Sequence, residues 1–145
     1  MVEISARGVE STLRLLDDVA GVLSDHREFL RDEVVPLTQR EVRRIFRTRG
    51  YGRWAPLSRA TIRRKGHDRP LIRTRRYFRE ATQSPTLQIT RTSLTYGVEV
   101  PYADFHEEGT GRIPARPVFA TLARNRRFER RIATRLDRRI QRVAR

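Results

Sequence analysis

The sequence predicts an α+β domain: a small, mostly antiparallel sheet packed by amino-terminal helices, followed by a long basic helix at the carboxyl end. Three observations predict it. Apolar residues recur at three- and four-residue spacing in the first fifty positions and again beyond residue 120, the period of helices with one apolar face. Between them, Thr86 to Thr90 and Leu94 to Val100 alternate apolar with polar residues across a short link, the pattern of a β-hairpin. The chain of 145 residues has the length of one compact domain, so 1–120 and 121–145 are read as a core and a terminal helix of the same unit.

Taken in order, Val2 to Ile4 is a short candidate strand before Gly8. Leu13, Leu16, Ala20 and Leu23 mark a helix opened by Glu10 or Ser11. Ser24 and Asp25 form a turn and cap for a second helix running to about Thr48. Its apolar stripe is Leu30, Val34, Leu37, Val42, Ile45 and Phe46, and its basic face Arg40, Arg43, Arg44, Arg47 and Arg49. Pro36 lacks an N–H, so a kink or a break into two helices is expected there; Gly50 and Gly52 end the run.

Ser58 precedes one or two helical turns, Arg59 to Lys65, closed by Gly66. Thr74 to Thr82 reads as a short helix with Tyr77, Phe78 and Ala81 on one side. After the hairpin, Pro101 ends the second strand, and Tyr102 to Glu108 form a helical turn closed by Gly109. The segment Thr110 to Pro117, with two prolines and a glycine, is expected to be extended. A last helix, Thr121 to Val143, carries the stripe Leu122, Phe128, Ile132, Leu136, Ile140 and Val143.

Net charge is +15, and Lys65 is the single lysine, so 31 of the 32 basic residues are arginine. Arginine forms forked bonds with carboxylates and phosphates, although a GC-rich coding sequence would produce the same bias. From Arg124 onward ten arginines face Glu129 and Asp137 alone. Arg131, Arg135, Arg138 and Arg142 repeat like charge at three- and four-residue spacing, which weakens an isolated helix and calls for a counter-charge in the assembled state.

Cysteine is absent, which removes disulfides, thiol catalysis and cysteine-based metal sites. No apolar run approaches the roughly 18 residues of a membrane span, and the amino terminus lacks a secretory layout, so a soluble protein made in the cytoplasm is expected. His26, His67 and His106 show no metal-ligand spacing, and no nucleophile elbow, phosphate loop or dinucleotide fingerprint is present. The densest polar cluster, Asp104, His106, Glu107 and Glu108, reads as a helix end or subunit contact ahead of an acid–base or metal site. Neither catalysis nor a cofactor or metal is therefore expected. The charge suits a nucleic-acid partner, but Trp54, Tyr77, Phe78, Tyr96, Tyr102, Phe105 and Phe119 occupy packing positions and form no stacking platform.

Three clusters in fixed order carry the specific signal. The first is Gly52-Arg53-Trp54-Ala55-Pro56-Leu57-Ser58, followed by Thr61, Arg64 and Lys65. The second is Pro70-Leu71-Ile72-Arg73-Thr74 with Tyr77, Phe78 and Ala81. The third runs from Val98 to Gly109 (VEVPYADFHEEG) and on through Ile113-Pro114-Ala115-Arg116-Pro117-Val118-Phe119. Together they resemble the phage virion morphogenesis family, the tail-completion proteins similar to that of phage Mu, over residues 9 to 120. Arg75 stands where that family usually has glycine, and Glu107 where glutamine is common.

The resemblance implies a structural virion protein, without catalysis, at the neck or head–tail junction of a tailed phage. It would complete the tail as a homohexameric ring between portal, adaptor or stopper proteins and the tail terminator and tail tube, near genomic DNA in the lumen and away from any membrane. The motif residues expected to build the fold and its interfaces are Trp54, Pro56, Leu57, Thr74, Tyr102, His106, Gly109, Pro114, Arg116, Pro117 and Phe119. Arg127, Arg131, Arg135, Arg138 and Arg142 are the expected helix contacts to neighbours. Arg116 is expected to pair with Glu107, Glu108 or an acidic patch on a neighbour. Tyr102, Phe105 and His106 are expected to pack onto the sheet. The alternative is a DNA-binding protein acting through the arginine-rich carboxyl-terminal helix.

Overall fold

Helix α1 is the spine of the molecule, formed by three consecutive segments: Arg27–Phe29, a π-helical Leu30–Val34, and Val35–Arg47. The computed structural model describes residues 25–72 and 75–143; the expected strand at Val2 to Ile4, the expected first helix and Thr74 lie outside them. Asp25 accepts the Arg27 amide and guanidinium ahead of α1, and the His26 amide donates to Arg91 O at 2.8 Å, tying the helix start to the hairpin.

Pro36 does not split the helix. A wide i→i+5 turn immediately precedes it, which shifts the carbonyl its ring would strike and passes over its missing N–H. The apolar stripe is buried as the periodicity predicts, from Phe29 and Leu30 to Ile45 and Phe46. Beyond it, Arg49, Gly50, Tyr51 and Gly52 all take left-handed φ values, 55°, 66°, 57° and 80°. The Gly50 amide bonds Ile45 O and the Trp54 amide bonds Arg49 O, so this left-handed coil is closed by hydrogen bonds at both ends.

Helix α2, Arg59–Lys65, begins at Ser58, whose Oγ accepts the Thr61 amide at 3.2 Å, and ends at Gly66 with φ 78°. Helix α3, Arg76–Thr82, buries Tyr77 and Ala81 against α1. Phe46 is the hub of that contact, meeting Trp54, Tyr77 and Phe78 edge-on at ring distances of 5.8, 5.5 and 5.3 Å.

Strands β1, Thr86–Ile89, and β2, Leu94–Gly97, pair antiparallel with Thr86 opposite Gly97 and Ile89 opposite Leu94. The ladder is shorter than the alternation suggested. The next pairing position would fall on Pro85, which has no N–H to donate, so Val98 to Val100 leave the sheet while Val98 and Val100 stay buried. Tyr96 anchors β2 to α3 through a hydrogen bond from its hydroxyl to Ala81 O. The fold is α+β, as the patterning predicts.

Helix α4, Ala103–Glu108, ends at Gly109, φ 75°. The expected single terminal helix is two: α5, Phe119–Ala123, and α6, Arg126–Val143. Asn125 makes the break, because its Oδ1 accepts the Arg127 and Phe128 amides, both at 3.1 Å, and starts α6 afresh. Phe128, Ile132 and Leu136 bury α6 in the core.

Helix α6 runs antiparallel to α1, and four of its arginines find counter-charge within the chain. Arg131 pairs with Glu41, Arg135 with Glu33 at 3.8 Å, and Arg139 with Glu28 at 3.0 Å. Arg142 reaches Glu33 at 4.0 Å. Three members of the like-charge repeat, Arg131, Arg135 and Arg142, thus meet carboxylates of α1, and Arg138 stays exposed.

Candidate functional site

The motif clusters meet at one place, where the loop after α1, the amino end of α3, helix α4 and the segment between α4 and α5 come together. Trp54, 7 % exposed, donates from Nε1 to Pro117 O at 2.9 Å. Gly50 permits this: a side chain there would lie on the indole ring. Arg116 is buried, 6 % exposed, and its Nε and Nη2 donate to Ala55 O at 2.8 Å and Pro56 O at 3.0 Å. Its own amide donates to His106 O at 2.7 Å. Arg116 therefore does not pair with Glu107 or Glu108; its fork points across to the Trp54 loop, where two carbonyls point back at it. Burial lowers its pKa from the usual arginine value.

Glu107 faces the other way and caps α5. Its Oε1 accepts the Val118 and Phe119 amides at 2.6 and 2.9 Å, its Oε2 the Ala120 amide at 3.3 Å, and Tyr77 Oη also donates to Oε1, at 3.3 Å. A carboxylate is well matched to four converging donors at a helix start. Burial, then the Glu107 charge, pushes the Tyr77 hydroxyl above its ordinary value, so Tyr77 stays protonated and keeps donating. With these bonds made, Glu107 joins the start of α5 to Tyr77 of α3.

His106 stacks on Tyr77 at 6.3 Å and meets Tyr102 edge-on at 5.8 Å. Burial, reinforced by the Arg116 and Lys65 charges, lowers its pKa, leaving a neutral imidazole. Its buried Nδ1 has no hydrogen-bond partner among the described residues. Gly109 lets the chain double back: a side chain there would sit 2.8 Å from Ala115 N and 3.1 Å from Ile113 O. Phe119 is fully buried beneath the junction.

On its outer side the junction leaves an open cleft of about 660 Å³. Half-buried Leu57, Leu71, Tyr102 and Ile113, with exposed Pro56 and Pro114, form its apolar surface. Arg64, Arg112 and Lys65 supply positive charge, with Ser58 and Thr61 hydroxyls between. Leu71 lines the cleft in a left-handed conformation, φ 61°, a strain of about 1–3 kcal/mol that folded proteins concentrate at working surfaces.

Of the residues singled out from sequence, Trp54, Pro56, Leu57, Tyr102, His106, Gly109, Pro114, Arg116, Pro117 and Phe119 are brought together here. Arg131, Arg135 and Arg142 lie against α1, and Arg127 and Arg138 are exposed on α6. Phe105 does not pack onto the sheet: it is 56 % exposed, because α4 turns it outward while Ala103 takes the buried side.

Sequence reading missed a second polar centre. Glu41, 3 % exposed, accepts from Tyr51 Oη at 2.6 Å, from Asn125 Nδ2 at 3.2 Å and from Arg131. Burial works to raise the Glu41 pKa, but the Tyr51 and Arg131 hydrogen bonds and the arginine charges lower it overall. Burial and Glu41 push Tyr51 up to about 12. The one available signal was the row Glu28, Glu33 and Glu41 on a helix otherwise rich in arginine.

Among the described residues no group of three or more His, Cys, Asp or Glu is placed to hold a metal ion, and no helix is long and apolar enough to cross a membrane. Set against family models, curated proteins and solved structures, the chain matches none.

Proposed function

We propose that this chain is a structural protein of the neck of a tailed bacteriophage, where it completes the tail and joins it to the portal–adaptor complex as an oligomeric ring. The observation that carries the reading is the closure of the three motif clusters into one junction by Trp54–Pro117, Arg116–Ala55/Pro56 and Tyr77–Glu107 hydrogen bonds. Arg75 adds to it. It takes φ 57°, the left-handed conformation glycine adopts most readily, at the position where the family has glycine. The junction presents a walled, charged cleft and spends its polar groups on holding backbone, which suits docking between proteins.

On this reading the partners are copies of the chain, portal, adaptor or stopper proteins on one side, and tail terminator and tube proteins on the other. The protein is made in the host cytoplasm and resides at the head–tail junction of the virion. Deleting the gene should yield filled heads and separate tails that fail to join, and cross-linking of purified virions should connect the chain to neck proteins. A chain missing from finished particles would refute the reading.

A second reading, DNA binding, is favoured by one observation. The α6 arginines that face α1 are held by Glu28, Glu33 and Glu41, whereas Arg40, Arg43 and Arg47 form an exposed basic row on α1. If phosphate is bound, that row and the exposed α6 arginines Arg127, Arg130 and Arg138 bind it, and retention on DNA should fall steeply with salt and weaken in Arg40→Glu/Arg43→Glu.

A further inference from the structure

Helix α4 carries two different surfaces. Tyr102 and His106, four residues apart, face the cleft. Asp104, Phe105 and Glu108 lie round the helix from them, and all three are exposed. At 56 %, Phe105 is the most exposed large apolar side chain among the described residues, and it sits beside two carboxylates. This is an aromatic knob with an acidic collar. The cleft is its complement in both respects: apolar side chains from Leu57, Leu71, Tyr102 and Ile113, bordered by Arg64 and Arg112.

A protomer cannot seat its own knob in its own cleft, since the two are on different sides of the same short helix. A second copy can. We infer that the Phe105 knob of one protomer docks in the Leu57–Ile113 cleft of the next, with Glu108 and Asp104 meeting Arg112 and Arg64. The inference rests on the assembly reading above and names the contact that performs it. Knob and cleft are distinct patches, so the contact is head-to-tail. Repeated, such a contact either closes into a ring or grows as a filament, unlike a twofold contact between identical patches. Arg64 and Arg112 on the border of the cleft and the outward aromatic are then explained together: each is half of an interface. A buried aromatic anchor with desolvated charges around it is the usual form of an energetic hot spot.

The test uses the full chain. Phe105→Asp removes the knob; Arg64→Glu/Arg112→Glu reverses the cleft border. Wild type should assemble beyond the dimer in native mass spectrometry and sedimentation. Each variant alone should self-associate at least about thirty-fold more weakly, the loss typical of a hot-spot residue. An equimolar mixture of the two should form a one-to-one pair that grows no further, because only one intact knob meets one intact cleft.

A strictly monomeric wild type, variants that assemble like wild type, or a mixture that forms no pair would each overturn the inference. Circular dichroism checks folding. Should a variant unfold, p-benzoylphenylalanine at position 105 of the native chain decides: a cross-link to Leu57, Tyr102 or Ile113 of another copy supports the contact, and any other attachment refutes it. Presence in virions is scored separately. Assembly by knob and cleft in a protein missing from particles removes the neck reading alone, and assembly through another surface in a virion component removes this contact alone.

Discussion

Gly50 and Gly52 have nearly the same backbone, φ 66° and 80°, and entirely different surroundings. A Cβ at Gly52 would meet open space, whereas one at Gly50 would fall on the Trp54 indole. Replacing either with alanine imposes the left-handed penalty of about 1–2 kcal/mol. Gly50→Ala must in addition displace Trp54. That forfeits its hydrogen bond to Pro117, about 1 kcal/mol, and its edge-on contact with Phe46, about 0.5–1.5 kcal/mol, and overpacks the loop by about 1–3 kcal/mol. The expected losses are therefore about 1–2 kcal/mol for Gly52→Ala and about 3.5–7.5 kcal/mol for Gly50→Ala, the latter a large share of an ordinary domain's stability. Urea unfolding followed by fluorescence reads both, and Trp54 is the single tryptophan, so emission reports on the displaced side chain itself. Equal losses in the two variants, or an unshifted Gly50→Ala emission maximum, would refute the argument that Trp54 pins the 50–56 loop to Pro117.

Glu107→Ala should cost about 1–3 kcal/mol in chemical denaturation by uncapping α5 and releasing Tyr77, with Glu107→Gln losing less because its carbonyl oxygen still accepts. Arg116→Lys should destabilise by about 1–3 kcal/mol in the same assay, since one ammonium cannot reproduce the fork that reaches both Ala55 O and Pro56 O. Glu41 has a lowered native pKa, so its contribution is fully present above the ordinary glutamate value of 4.5 and is lost as pH falls below it through the native value; Glu41→Gln should flatten that part of the stability–pH curve. Asn125→Ala should lower the melting temperature through the loss of about 1 kcal/mol of capping at the start of α6.

Much of the fold was legible from local rules. The stripe of α1, the Ser58 cap and Gly66 stop of α2, the hairpin and the Gly109 stop of α4 follow from spacing, capping and turn chemistry, which act within a few residues. The misreadings have equally local causes. Asn125 was passed over as a helix start because the apolar stripe continues across it, and the wide turn before Pro36 is a conformation that periodicity does not register. The motif residues were identifiable, but not their bonds: Arg116 had carboxylates close by in sequence and took carbonyls sixty residues away.

By itself, the sequence determined which segments are helical or extended, which faces are apolar, and that the chain is strongly basic, because these properties are set by neighbours along the chain. Only the tertiary structure decided where the charge goes. Packing α6 antiparallel on α1 lays one set of arginines on Glu28, Glu33 and Glu41, and the turn of α4 sends Phe105 outward on the side of the helix away from the cationic cleft. The reason is that a guanidinium or a phenyl ring suits several environments equally well, and which one it finds depends on the segments that the folded chain brings against it.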